Sequence, residues 1–138
     1  MWKRTYNKTF QGVKRQDVWR VWTDISNWPA WHDDVDYCKL DGKFEVGNHF
    51  ILKPKGVNPV KSIFTEVTKG YSFTDCTSFF GAKMHYSHIM EETSEGLKIT
   101  NTVTVTGPLR WLWTKLVVQG VADAMPGELE ALVKLAKG

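Results

Sequence analysis

With 138 residues, a net charge of +3 and no run of five or more like charges, the chain fits one domain and carries no electrostatic footprint for nucleic acid. Hydrophobic residues make up 42% and include seven tryptophans, enough for a sizeable interior partly lined with flat rings. No apolar run is long enough to span a bilayer, which argues against stable membrane insertion.

Met1-Trp2-Lys3-Arg4 leads directly into an alternating pattern without the apolar core of a signal peptide, so a cytoplasmic location is expected. Trp2 to Phe10 reads as a first strand with Trp2, Tyr6 and Phe10 on one face. After Gly12 the period becomes helical. Val18, Val21, Trp22 and Ile25 stand at i, i+3, i+4 and i+7, while Trp19 lies off that stripe, at a second contact or a rim. Ser26 and Asn27 can cap a second short helix that tolerates Pro29 in its first turn. Trp28, Trp31 and His32 belong to this turn and the loop after it.

Six further strands are predicted at Val35–Leu40, Asn48–Lys53, Val60–Thr68, Tyr71–Phe79, Lys83–Glu92 and Gly96–Thr106. Asp41-Gly42, Pro54-Lys55-Gly56, Lys69-Gly70, Phe80-Gly81 and a polar cluster at 92–96 separate them as turns. On the last strand Leu97, Ile99, Asn101, Val103 and Val105 face in, so Asn101 interrupts an apolar face. Leu109 to Ala136 then reads as one helix, roughly 40 Å long at 1.5 Å per residue. Its stripe is Leu109, Leu112, Leu116, Gly120 and Ala124, widened by Val117, Val121 and Met125 and resumed by Leu129, Leu132 and Val133. Pro126 removes a backbone donor inside it and predicts a kink or a split.

A helix apolar along one flank and a one-sided antiparallel sheet have complementary needs. The expected fold is therefore α+β. A curved seven-stranded antiparallel sheet wraps a long C-terminal helix, two short helices follow the first strand, and one domain spans residues 1–138. A cavity between sheet and helix is the expected consequence.

Strand parity places chemistry in that cavity. A hairpin turning at Phe80-Gly81 puts Tyr71, Phe73, Asp75 and Thr77 on the same side as Met84, Tyr86, His88 and Met90. The next hairpin brings Asn101 beside them. Asp75 next to His88 satisfies two groups that are costly to bury alone, or orients a carbonyl and moves a proton. His32 reads as a surface-loop histidine or as a group at the cavity mouth. Trp111 and Trp113 read as core packing or ligand contacts. His85 and His88 face opposite sides of one strand and share no metal. Cys38 and Cys76 fit no metal or disulfide spacing and read as buried small hydrophobes in a reducing compartment. Neither metal nor cofactor is expected.

Several short stretches, in this order and spacing, carry a family resemblance: Asp17-Val18-Trp19, Trp28-Pro29-Ala30-Trp31, Phe73-Thr74-Asp75, His88 followed by Met90-Glu91-Glu92, Thr106-Gly107-Pro108-Leu109, and Pro126 in the last helix. The chain resembles the START-like, helix-grip domains (the SRPBCC or Bet v 1-like superfamily), particularly the polyketide cyclase/dehydrase-like bacterial members. The resemblance implies an apolar pocket for a lipid, polyketide or isoprenoid. In a carrier or sensor, Asp75, Tyr86, His88 and Asn101 would hold the ligand's oxygenated end. Trp31, Phe73, Met84, Val117, Val121 and Met125 would contact its body. The alternative is a polyketide cyclase/dehydratase using His88 with Asp75, and a third reading is a protein-interaction module like the Hsp90 activators.

Overall fold

The computed structural model of the chain covers residues 1–138. Strand β1 (Trp2–Phe10) leads into helix α1 (Arg15–Thr23) and a 3₁₀ helix (Ile25–Ala30). Then come β2 (Val35–Asp41), β3 (His49–Pro54), β4 (Val60–Thr68), β5 (Ser72–Phe79), β6 (Ala82–Thr93) and β7 (Gly96–Thr106). They form one antiparallel sheet in the order β1-β7-β6-β5-β4-β3-β2. This is the seven-stranded α+β arrangement the alternation and turn signals predict. Bulges between Val35 and Tyr37 and between Phe64 and Glu66 help bend the sheet. The second flips β4's inward parity: Phe64 is buried, whereas Glu66 accepts hydrogen bonds from the hydroxyls of Thr68, Ser72 and Thr74.

The stripe on α1 packs as expected, with Val18, Val21, Trp22 and Ile25 all buried. Ile25 itself belongs to the 3₁₀ helix. Ser26 and Asn27, expected as caps, lie inside that helix; Asp24 precedes it and accepts a 2.6 Å hydrogen bond from Asn27. Cys38 is buried, but Cys76 points away from the inner face of β5 and is half-buried, which corrects the expectation for that thiol.

The C-terminal helix is broken in two ways. It comprises α2 (Arg110–Trp113), a π-helical turn (Thr114–Val118), α3 (Gln119–Asp123) and α4 (Met125–Lys137). The break at Ala124 sits just ahead of Pro126, which occupies the first turn of α4 where its missing donor costs nothing. The π turn is not expected from the sequence, and the apolar stripe differs from the expected one. Thr114, Val118, Ala122 and Met125 are the buried residues, in ordinary helical phase with Leu129, Leu132 and Ala136, while Leu116 is 64% exposed. The Thr114 hydroxyl donates to the Arg110 carbonyl at 2.7 Å beside this irregularity. Trp111, expected in the core, is 66% exposed; Trp113 stacks on Phe79 and donates its indole N–H to the Phe80 carbonyl at 2.7 Å. No helix is long and apolar enough to cross a membrane.

A close approach fixes where the C-terminal segment starts. Gly107 has φ +109°, and a Cβ there would meet the Gly81 carbonyl oxygen at 2.6 Å. The same oxygen accepts the Leu109 N–H at 2.8 Å. The helix entry is thus tied to the β5–β6 turn.

The apolar interior falls into two clusters. The larger joins α1, the 3₁₀ helix and α4 to the sheet through Trp22, Trp28, Phe50, Phe64, Phe73, Met90, Leu97 and Ile99, among others. The smaller joins Ala82, Met84, Tyr86, Val103 and Val105 to Val118, Ala122 and Met125. Tyr6 is the one half-buried side chain packed against both.

Candidate functional site

What separates the two clusters is a polar band on the inner face. Along β7 the order is Ile99, Asn101, Val103; along β6 it is Met90, His88, Tyr86; along β5 it is Phe73, Asp75, Thr77. The register puts Phe73 opposite His88, Asp75 opposite Tyr86 and His88 opposite Asn101. The structure therefore brings Asp75, Tyr86, His88 and Asn101 together on one side of the sheet, all buried. Ser62 and Thr77 extend the band onto β4 and satisfy each other through a 2.6 Å hydrogen bond.

Asp75 and His88 do not pair, which corrects the expected acid–imidazole couple. His88 sits diagonally to Asp75 and directly across from Phe73, whose carbonyl lies 3.3 Å from Nδ1. Its ring is sandwiched between Phe73 at 4.0 Å and Tyr86 at 4.2 Å, with Trp22 edge-on at 5.7 Å. Burial among these rings pushes its pKa down to about 3, so the imidazole is neutral at physiological pH. Asp75 makes no hydrogen bond or ion pair, and burial alone pushes its pKa up to about 8. Near pH 7 this site holds a mostly protonated carboxyl and an uncharged imidazole.

Tyr86 and Asn101 complete the band. The Asn101 amide N–H donates to the Tyr86 hydroxyl at 3.4 Å, leaving Asn101 Oδ1 buried without a partner. Burial raises the Tyr86 phenol well above its ordinary range, and the nearby Glu128 carboxylate adds to the rise.

The remaining predicted residues are dispersed around the band. Phe73 is the centre of an edge-to-face aromatic group with Trp19, Trp22 and Phe44. Met84 and Met125 belong to the smaller cluster, which the half-buried Val121 flanks; Val117 is half-buried on the π turn. Two clefts, of about 320 and 390 Å³, flank α1 rather than the band. Trp31 borders the first, with Val21, Ala30 and Leu135; the second is lined by Trp19, Phe44, Val46 and Val67 with polar neighbours.

A family model described as "Polyketide cyclase / dehydrase and lipid transport" matches residues 1–137. The chain belongs to this family. No curated protein matches its sequence. Among solved structures, a hypothetical protein of Helicobacter pylori is similar with a TM-score of 0.78 at 13% identity, over 98% of this chain and 88% of that one. The protein Ara h 8.0201 is similar with a TM-score of 0.74 at 14% identity, over 98% of both chains. The di-domain ARO/CYC StfQ from the steffimycin biosynthetic pathway is similar with a TM-score of 0.77 at 12% identity, over 98% of this chain and 50% of StfQ. At these identities the likenesses establish the shared fold.

This polyketide cyclase/dehydrase-family chain also has two polar residues at the site that sequence reasoning misplaced or missed. His32 is not an open-loop residue. Its ring lies 4.0 Å from that of Trp31 and 5.5 Å from that of Trp28, its Nδ1 is 3.1 Å from Glu128 Oε1, and its Nε2 is buried without a partner. Glu128 comes from the first turn of α4 and reaches toward both His32 and Tyr86. One signal for it was present: Glu128 stands three residues after Met125 and four before Leu132, on the helix's buried stripe.

Proposed function

We propose that this protein binds a small hydrophobic molecule with one oxygenated end, as a carrier or sensor, at the polar band between the sheet and the C-terminal helical segment. The observation that carries this reading is unspent hydrogen-bonding capacity in an apolar interior. Asp75 offers a carboxyl that makes no hydrogen bond within the protein, and Asn101 Oδ1 a fully buried acceptor with no donor. An acceptor orphaned in this way costs roughly 1–3 kcal/mol, and a hydroxyl of a guest recovers that loss. Tyr86 and His88 complete the polar end of the site. Phe73, Met84, Val117, Val121, Met125 and Trp31 supply apolar contact, worth roughly 25 cal/mol per Å2 of guest surface buried. The family's description, which includes lipid transport, agrees with this chemistry.

A second reading has its own support. A carboxyl at about 8 is poised to exchange a proton near neutrality, as a cyclase-type enzyme acting on a poly-carbonyl chain requires. His88, held near 3, is too weak a base for that step and would act as a neutral hydrogen-bonding ring. Asp75, rather than His88, carries the acid–base role in this version.

One experiment addresses both. Native mass spectrometry of the purified protein, followed by organic extraction, should show one small apolar molecule per chain, released on denaturation. Asp75→Asn should weaken retention of that molecule severalfold. If the protein runs only at its bare mass and no apolar probe perturbs its tryptophan emission, the binding reading fails. If the wild type turns over a poly-carbonyl substrate and Asp75→Asn slows it by about 100-fold while binding survives, the enzyme reading replaces it.

A further inference from the structure

At one end of the polar band, the loop after the 3₁₀ helix meets the first turn of α4, next to Trp31 and Tyr86 of the proposed ligand site. His32, Asp34 and Glu128 each place one donor atom within 4.8 Å of the other two. We infer that these three side chains bind one divalent transition-metal ion of the zinc type, leaving a further position on the ion open.

The spacing is the first reason. His32 Nδ1 and Glu128 Oε1 are 3.1 Å apart, close to the separation of two ligands that each sit about 2.0–2.2 Å from a shared zinc ion. Nδ1 faces the Glu128 carboxylate as an N–H donor would, and a bound ion would displace that proton and take the Nδ1 lone pair.

Charge is the second. Two carboxylates converge on one imidazole, and neither Asp34 nor Glu128 forms an ion pair with a lysine or arginine. A divalent cation neutralises such a pair of carboxylates directly. Preorganisation is the third. Trp31 and Trp28 hold the His32 ring in place, and the Glu128 carboxylate lies close to the Tyr86 hydroxyl, the kind of outer contact that orients a metal ligand. One nitrogen and two carboxylate oxygens suit zinc and its neighbours better than calcium or magnesium, which favour all-oxygen shells.

The site does not depend on the hydrophobic-ligand reading, and either can fail alone. Its test uses the full chain, stripped with a chelator and titrated with Zn2+ against a chromophoric competitor, with stoichiometry read by native mass spectrometry. One ion per chain is expected, and Co2+ in its place should quench tryptophan emission, since Trp28 and Trp31 lie against the ligand ring. Asp34→Asn, an exposed change that leaves the core untouched, should weaken binding at least about tenfold, and Glu128→Gln likewise. His49→Gln, which removes the other histidine–carboxylate contact at Asp41, should leave affinity unchanged. Absence of stoichiometric Zn2+ binding, wild-type affinity in Asp34→Asn, or an equal loss in His49→Gln would each overturn the assignment.

Discussion

Two buried side chains, Asp75 and His88, pull stability in opposite directions with pH. Asp75 rises from an ordinary 3.8 to about 8, so between those values the folded chain holds a proton that the unfolded chain has released. Its contribution is fully present below about 3.8 and drains away as pH climbs to about 8. His88 falls from 6.5 to about 3, so its contribution is present above 6.5 and drains away as pH drops through that window. The two slopes cancel where the windows overlap. Above 6.5 only Asp75 still titrates, and stability should fall by on the order of 2 kcal/mol between there and pH 8. Asp75→Asn should flatten that limb. Urea unfolding at pH 6.5 and pH 8 checks it, and an equal fall in both proteins would show that Asp75 is not the source.

At the level of elements, the inner face of the sheet was legible because parity is a short-range property. The Phe80-Gly81 turn and the polar turn near Ser94 fix the register of β5, β6 and β7, so Asp75, Tyr86, His88 and Asn101 could be placed on one side from residue types alone. Parity says nothing about which neighbour a side chain chooses, and His88 chose the Phe73 carbonyl over Asp75. The His32–Glu128 contact was illegible for a different reason: a loop and a distant helix meet only once the chain has folded. Helix phase is hard to read because Leu109, Leu112 and Leu116 make the more apolar stripe, although the smaller Thr114, Val118 and Ala122 are the residues in phase with Leu129, Leu132 and Ala136 of α4. The consequence is measurable. Val118→Ala, at a fully buried position, should cost about 2 kcal/mol, whereas Leu116→Ala, on the stripe the periodicity favoured, should stay within about 0.5 kcal/mol. Equal losses in urea denaturation would show that Val118 and Leu116 are not on opposite faces of the packed segment.

For the molecule as a whole, what matters is that the interior is divided. α4 closes over the larger cluster together with α1, while the π turn and α3 cover only the smaller one, with the break at Ala124 between them. Local openings follow the boundaries of such units, and the unit with less buried apolar surface opens first. Hydrogen exchange should therefore find the amides of Arg110–Asp123 exchanging at least about tenfold faster than those of α4 and of central strands β6 and β7. Uniform protection along the entire C-terminal segment would mean that the two clusters open as one.

The stretch around Ala124 thus marks the passage from one packing unit to the other. Val118, Ala122 and Met125 are the buried side chains by which the helix joins the eight-residue cluster, against five from the sheet. Loosening these three would expose one small cluster and leave the aromatic half of the interior intact.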